Sequence, residues 1–230
     1  MDTVAYKRRI DGIIERIEKA RLRVSAHHIV KIVAISKYVD SEAIRALYEI
    51  GQRAFGENKV QDLRRKSAEL EELPLEWHFV GSLQKNKINN LLDCNPFLMH
   101  SIDSLDLAEA IDKKARAKGI VLNALLQINS AKEESKHGFM PEEAYDRYMQ
   151  IQERCANIDL KGVMSIGAHT DDTALVKKSF ETTYSIYEKL PNATICSMGM
   201  SSDFELAIEC GSNMLRLGSI MFNNRYEEGE

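Results

Sequence analysis

Lys37 follows the run Ile32-Val33-Ala34-Ile35-Ser36, so its amine stands where a buried strand gives way to a loop. An ammonium withdrawn from water there is driven toward its neutral form. A neutral amine is a nucleophile that condenses with an aldehyde to a Schiff base. A lysine at a loop start also has a plainer use, laying its stem on apolar surface with the charge in water. Two later stretches, "GMSSD" at 199–203 and "RLGS" at 216–219, combine glycine with hydroxyls. Backbone N–H groups at a helix start, a serine hydroxyl and a glycine that admits close approach suit a phosphate dianion. Ser202-Asp203 reads equally as an ordinary helix N-cap. Arg216 reads either as a cation facing a ring heteroatom or as half of a salt bridge.

The apolar periodicity sets where these residues stand. Residues 4–24 carry Ile10, Ile13, Ile14, Ile17 and Leu22 at helical spacing and predict an amphipathic helix within the N-terminal 1–25. Short β-branched runs then alternate with amphipathic ones. Strands are predicted at 28–37, 53–57, 76–82, 96–102, 121–130, 158–168, 194–200 and 213–219. Helices are predicted at 41–51, 58–73, 84–93, 104–119, 141–156, 171–190 and 201–211. Ser41 as an N-cap, Gly51 and Gly119 as stops, Pro74 as a breaker and Pro141 in a first turn mark helix ends. The acidic residues 224–230 are expected to be a disordered tail. No linker or composition break divides the chain. Eight strands, each apolar on both faces and alternating with helices, predict an α/β fold over residues 1–230: a single-domain (β/α)8 TIM barrel rather than an open doubly wound sheet. The nucleotide signatures GxGxxG and GxxxxGK[ST] are absent.

Such a barrel works at the C-terminal ends of its strands. Lys37 falls after the first strand, Asn58 after the second, His78 and Gly81 in and after the third. Met200, Ser201 and Ser202 follow the seventh, and Arg216, Gly218 and Ser219 close the eighth, where this fold often builds a phosphate site. An amine for an aldehyde and a cradle for a phosphate in one mouth meet the needs of pyridoxal phosphate. A cation at Arg216 would keep the pyridine nitrogen unprotonated and weaken the ring as an electron sink. Elsewhere the plainer readings hold: His27-His28 is solvated, Asp171-Asp172 beside His169 caps a helix, and no metal site is expected. Lys85 and Lys87 form a basic face, either solvated or able to take an anion or a second cofactor molecule.

Of 230 residues, 44% are apolar and 29% charged, with a net charge of −4, which does not describe a nucleic-acid binder. The four cysteines are scattered without zinc or CxxC spacing and read as reduced thiols of a cytoplasmic protein. The N-terminus lacks an apolar signal core, and no run of about 18 apolar residues exists to enter a membrane. No exposed apolar stripe demands a partner subunit, so a monomer is expected.

Seven segments occur in order along nearly the whole chain: "IVAISK", "GQRAFGENKVQ", "EWHFVGSLQKNK", "SIDSL", "QINSAKEESKHGF", "LKGVMSIG" and "SMGMSSDFELAIECGSNMLRLGS". Together they resemble the YggS/PROSC family of pyridoxal phosphate homeostasis proteins, which share the barrel of the alanine racemase N-terminal domain. The resemblance implies that Lys37 carries pyridoxal 5′-phosphate as an internal aldimine. It also implies that Ser201, Ser202, Gly218 and Ser219 surround the phosphate, that Arg216 faces the pyridine nitrogen, and that Asn58 and His78 line the pocket, with Met200 beside the phosphate loop. Ser82 departs from a common proline, and Ser219 from a common threonine that also bears a hydroxyl.

Two functions then compete. One is a carrier or regulator in B6-vitamer and amino-acid homeostasis, serving pyridoxal-phosphate-dependent apoenzymes. The other is an amino-acid racemase, which needs an acid/base group on each face of the substrate Cα. In alanine racemase, the resemblance implies, the second group is a tyrosine from another domain. No such domain is expected in this chain, and Tyr38 is expected to point away from the barrel, so the carrier is favoured. A cofactor-free sugar-phosphate barrel would explain the phosphate loop but not the seven segments.

Overall fold

The computed structural model describes residues 3–133 and 136–222; the tail expected at 224–230 lies outside them, as do Glu134 and Ser135. Eight parallel strands close into a barrel in chain order: β1 (Lys31–Ile35), β2 (Ala54–Glu57), β3 (Glu76–Phe79), β4 (Leu98–Ile102), β5 (Leu122–Ile128), β6 (Ile158–Ser165), β7 (Ile195–Ser197) and β8 (Met214–Leu217). Closure is the β1–β8 pairing, with Val33 opposite Arg216 and Ala34 opposite Leu217. Around the barrel lie α1 (Thr3–Val24), α2 (Ser41–Glu49), α3 (Val60–Glu69), α4 (Ile88–Asp93), α5 (Leu105–Lys118), α6 (Pro141–Arg154), α7 (Thr173–Tyr187), α8 (Phe204–Glu209) and α9 (Ser219–Phe222). The helix expected at 84–93 is divided. Lys85–Lys87 form a single 3-10 turn, because the polar "QKNK" has no apolar stripe to bury until Ile88. Among the described residues no helix is long and apolar enough to cross a membrane.

Strand alternation sorts side chains into two cores. The larger lies between strands and helices, where Phe55, Phe79, Leu126 and Leu215 meet Leu47, Leu63, Ile111 and Phe180. The smaller fills the barrel: Val33, Ala54, Leu98, Leu125, Met164 and Met214. The inner face is not apolar throughout, contrary to the sequence expectation. His78, His100, Ser197 and Arg216 are all buried, which local hydrophobicity cannot reveal because these strands are apolar on their outer faces.

The first two helices depart from the sequence expectation, one at its cap and one at its buried face. Asp40, not Ser41, caps α2, its carboxylate accepting the Ala43 N–H at 3.0 Å, while the Ser41 hydroxyl donates to Glu69. On α1 the buried stripe is Ile13, Ile17 and Ala20, with Ile14 and Leu22 facing outward. A 3.6-residue period puts Ile14 off the stripe that Ile13 and Ile17 define.

At the barrel's lower end Lys31 pairs with Glu76, and the Lys31 Nζ lies 4.7 Å from the Phe97 ring centroid. The His78 ring, together with Lys31, holds the Glu76 carboxyl down to about 2 against its ordinary 4.5. A depressed carboxylate stabilises the fold above its unfolded value and loses that contribution as pH falls through the folded one. Thermal denaturation should therefore show a fall in stability between about pH 4.5 and pH 2 that is reduced in Glu76→Gln. An unchanged acid profile in that variant would contradict the assignment.

Candidate functional site

A cavity of about 590 Å³ opens at the C-terminal ends of the strands. Its lining includes Lys37, Asn58, Met200, Ser201, Ser202, Arg216, Gly218 and Ser219. His78 stays out of it. Its ring is fully buried in the barrel interior, with Nδ1 2.9 Å from His100 Nε2. Two residues along, Val80 reaches the lining in its place, because alternate residues of a strand share a face at successive heights.

Strand β1 leads the chain to the cavity, and the turn after it presents Lys37. Val33 packs in the barrel interior, Ile35 lines the cavity, and Lys37 follows two residues later in the β1–α2 turn. Two expectations change here. Lys37 is exposed rather than withdrawn from water, since it stands at the rim of an open mouth. Tyr38, 87% exposed, stands at the cavity rim rather than on the far side of the strand, with the Lys37 Nζ 4.8 Å from its ring centroid. The β1–α2 turn sends both side chains to the rim, where the strand alternation no longer applies.

Behind Lys37 lies a buried ion pair. Lys66, 1% exposed, donates 2.7 Å bonds to Glu57 Oε1 and to the Ser36 carbonyl. The Ser36 hydroxyl donates to the same Glu57 oxygen at 2.6 Å. The residue before the amine is thus clamped at both its carbonyl and its side chain. Lys66 went unremarked in the sequence, yet a signal was there. It sits on the Val60-Leu63-Lys66 stripe of α3, an apolar face where a lysine needs a partner.

The opposite wall joins the β7–α8 and β8–α9 loops. The Ser201 hydroxyl accepts the Gly218 and Ile220 N–H groups at 3.3 and 3.4 Å, long for such bonds, so both donors remain available to a stronger acceptor. Gly199, at φ +93° and with the Ala207 Cβ 2.7 Å from where its own Cβ would stand, turns the chain tightly into this loop. Asp203 heads α8, but its carboxylate reaches back to the Met200 N–H at 2.7 Å and makes no bond into the helix. The expected N-cap therefore braces the loop instead.

Arg216 forms the cavity floor. It is 5% exposed and donates to the Ser197 carbonyl (2.8 Å), the Ser197 hydroxyl (2.7 Å) and the Ser165 carbonyl (2.8 Å). All three acceptors are neutral, and no ion pair of Arg216 exists among the described residues, contrary to the salt-bridge alternative. Burial pulls the guanidinium down to about 10, with Asp203 opposing from a distance. A buried cation without a contacting anion favours an anionic or electron-rich occupant.

Other candidates lie elsewhere. Asp172 caps α7, accepting the Ala174 and Leu175 N–H groups. Lys85 pairs with Asp106. Lys136 donates to Glu133 and to the Gly167 carbonyl, outside the main cavity. Among the described residues no three His, Cys, Asp or Glu side chains gather as a metal site would require.

The chain is a closed (β/α)8 barrel whose mouth joins a strand-end lysine, a buried arginine and a hydroxyl-rich double loop after the seventh and eighth strands, where barrels of this class frequently place a phosphate site. Residues 10–225 match the alanine racemase N-terminal domain family. A pyridoxal phosphate homeostasis protein of Helicobacter pylori is 59% identical over 217 residues, covering 94% of this chain and 98% of its own. The chain therefore belongs to the alanine racemase N-terminal domain family, among the pyridoxal phosphate homeostasis proteins. The solved structure of PipY from Synechococcus elongatus with PLP bound is 33% identical, has a TM-score of 0.78, and covers 91% of this chain and 99% of its own. An alanine racemase of Clostridium difficile, 17% identical with a TM-score of 0.69, shares the fold over 90% of this chain but only 55% of its own.

Proposed function

We propose that the protein binds pyridoxal 5′-phosphate in the barrel mouth, holds its aldehyde as a Schiff base on Lys37, and acts as a monomeric intracellular carrier or regulator in B6-vitamer and amino-acid homeostasis. What carries this reading is one cavity that holds both the Lys37 amine and a buried arginine with no contacting anion. Ser201, Ser202, Ser219 and the Gly218 and Ile220 N–H groups would take the phosphate. A Cβ on Gly218 would meet only Ile35, at 3.6 Å, so this glycine leaves space on the ligand side rather than avoiding a clash. Asn58 and Met200 would flank the ring, and Arg216 would meet its nitrogen. The cofactor supplies an electron-withdrawing ring; a cation at its nitrogen keeps that withdrawal weak, which suits storage better than turnover.

The homeostasis names of the relatives and the PLP-bound PipY support this reading. The racemase alternative needs an acid/base group facing Lys37 across the substrate. The phenol at this cavity, Tyr38, stands against Lys37 itself. Delivery to apoenzymes remains part of the proposal.

Cofactor titration tests the phosphate wall. Ser201→Ala, Ser202→Ala and Ser219→Ala should each weaken binding by about tenfold, the worth of a bond to a charged group. His169→Ala, outside the cavity, should leave affinity unchanged. Equal effects from all four would overturn the placement.

A further inference from the structure

Beneath the cavity floor, four buried side chains form a continuous polar column through the barrel. Arg216 Nη1 is 2.7 Å from Ser197 Oγ, which is 3.2 Å from His100 Nδ1; His100 Nε2 is 2.9 Å from His78 Nδ1. His78 Nε2 then faces the Glu76 carboxylate at the lower end from 3.9 Å, too far for a hydrogen bond, and has no other hydrogen-bond partner. The imidazoles, Ser197 and Arg216 are 0–5% exposed, in an interior otherwise filled by Val, Ala, Leu and Met. Such groups are costly to bury unless each bond is satisfied in a consistent direction.

The donor at the upper end and the negative charge facing the lower end favour one direction. A guanidinium only donates, so Ser197 Oγ accepts from it, and this leaves the hydroxyl proton free to go to His100 Nδ1. With the hydroxyl proton so placed, His100 carries its proton on Nε2 and donates to His78 Nδ1. His78 in turn carries its proton on Nε2, aimed at Glu76, an acceptor-only carboxylate. The opposite sense would turn a bare His78 lone pair toward that carboxylate and leave the Ser197 proton without its place in the chain. Burial, His78 and Arg216 together push His100 well below the usual imidazole range, and burial lowers His78 as well, so both rings are neutral.

We propose that His100 and His78 are positioning residues for Arg216. Through Ser197 they form a one-way hydrogen-bond column, from the guanidinium at the cavity floor to His78, whose far nitrogen faces the Glu76 carboxylate without a hydrogen bond, and the column fixes the guanidinium's orientation toward the bound ring. The column stands on the protein's own geometry; its effect on a ligand rests on the pyridoxal phosphate reading. Ser197 is the joint, because its single hydroxyl passes the bond from cation to imidazole. The neutral chain leaves the cation uncompensated at the floor while holding it still.

The side-chain nitrogen NMR spectrum of the full-length protein, recorded before and after adding pyridoxal phosphate, tests the column. Before addition, His100 and His78 should both be neutral Nε2–H tautomers. Ser197→Ala should remove the single-tautomer signature of His100 without unfolding the chain, and Ser197→Thr should restore it. With pyridoxal phosphate added, Ser197→Ala should shift the absorption maximum and weaken binding by about tenfold, while retaining the covalent link to Lys37. A native His100 that is charged or carries its proton on Nδ1 would overturn the column. So would a Ser197→Ala protein with an unchanged His100 tautomer and unchanged absorption. Failure of the wild type to take up pyridoxal phosphate, with both tautomers as stated, would retire the cofactor reading and leave the column standing.

Discussion

Lys37→Ala should yield a folded, colourless protein. The wild type mixed with pyridoxal phosphate should show a visible Schiff-base band that this variant lacks at every cofactor concentration. The side chain is exposed at the cavity rim, so its removal costs little stability and the barrel should melt within about 0.5 kcal/mol of the wild type. Residual binding through the phosphate wall and Arg216 should persist, weakened and without colour. A variant that keeps the band would place the covalent link on another lysine. This result tests the attachment alone, because the other proposed contacts remain in place.

Lys66→Met should have the largest effect on stability. It leaves the Glu57 carboxylate in the core, where Oε1 has lost its cation and Oε2 has no partner. Breaking a buried pair by removing one member costs about 3–5 kcal/mol. Adding Glu57→Gln removes the stranded charge and should recover a large part of that loss, giving a double variant more stable than the Lys66 single. Urea unfolding of both variants and of the wild type measures the difference. The clamp also holds the Ser36 carbonyl, so Lys66→Met should weaken the Lys37 Schiff-base band as well. A single variant as stable as the wild type would mean that the pair contributes nothing to holding the Lys37 turn.

The barrel was legible because its signal is regional. Alternating short apolar runs and amphipathic helices need only a count and a period, and Gly119, Pro141 and Asp172 end or begin helices by local chemistry. The cavity was legible in part for the same reason, since strand ends of a barrel meet in one mouth. What escaped the sequence depends on pairing between distant strands. His78 lies next to His100 only because β3 and β4 are neighbours, and Ser197 meets Arg216 only across β7 and β8. Tyr38 was misread because alternation was carried past the end of β1 into a turn. Asp203 was read as a cap, whereas the tight turn at Gly199 brings the Met200 N–H within reach of its carboxylate.

Everything proposed for the barrel mouth depends on the attachment of pyridoxal phosphate to Lys37. That attachment is tested most directly by the absorbance spectrum of the purified protein with the cofactor, followed by borohydride reduction and peptide mapping. The expected result is a visible band that reduction bleaches and a pyridoxyl group on the peptide containing Lys37. A protein that stays colourless with added cofactor, or a pyridoxyl group trapped only on other lysines, would contradict it.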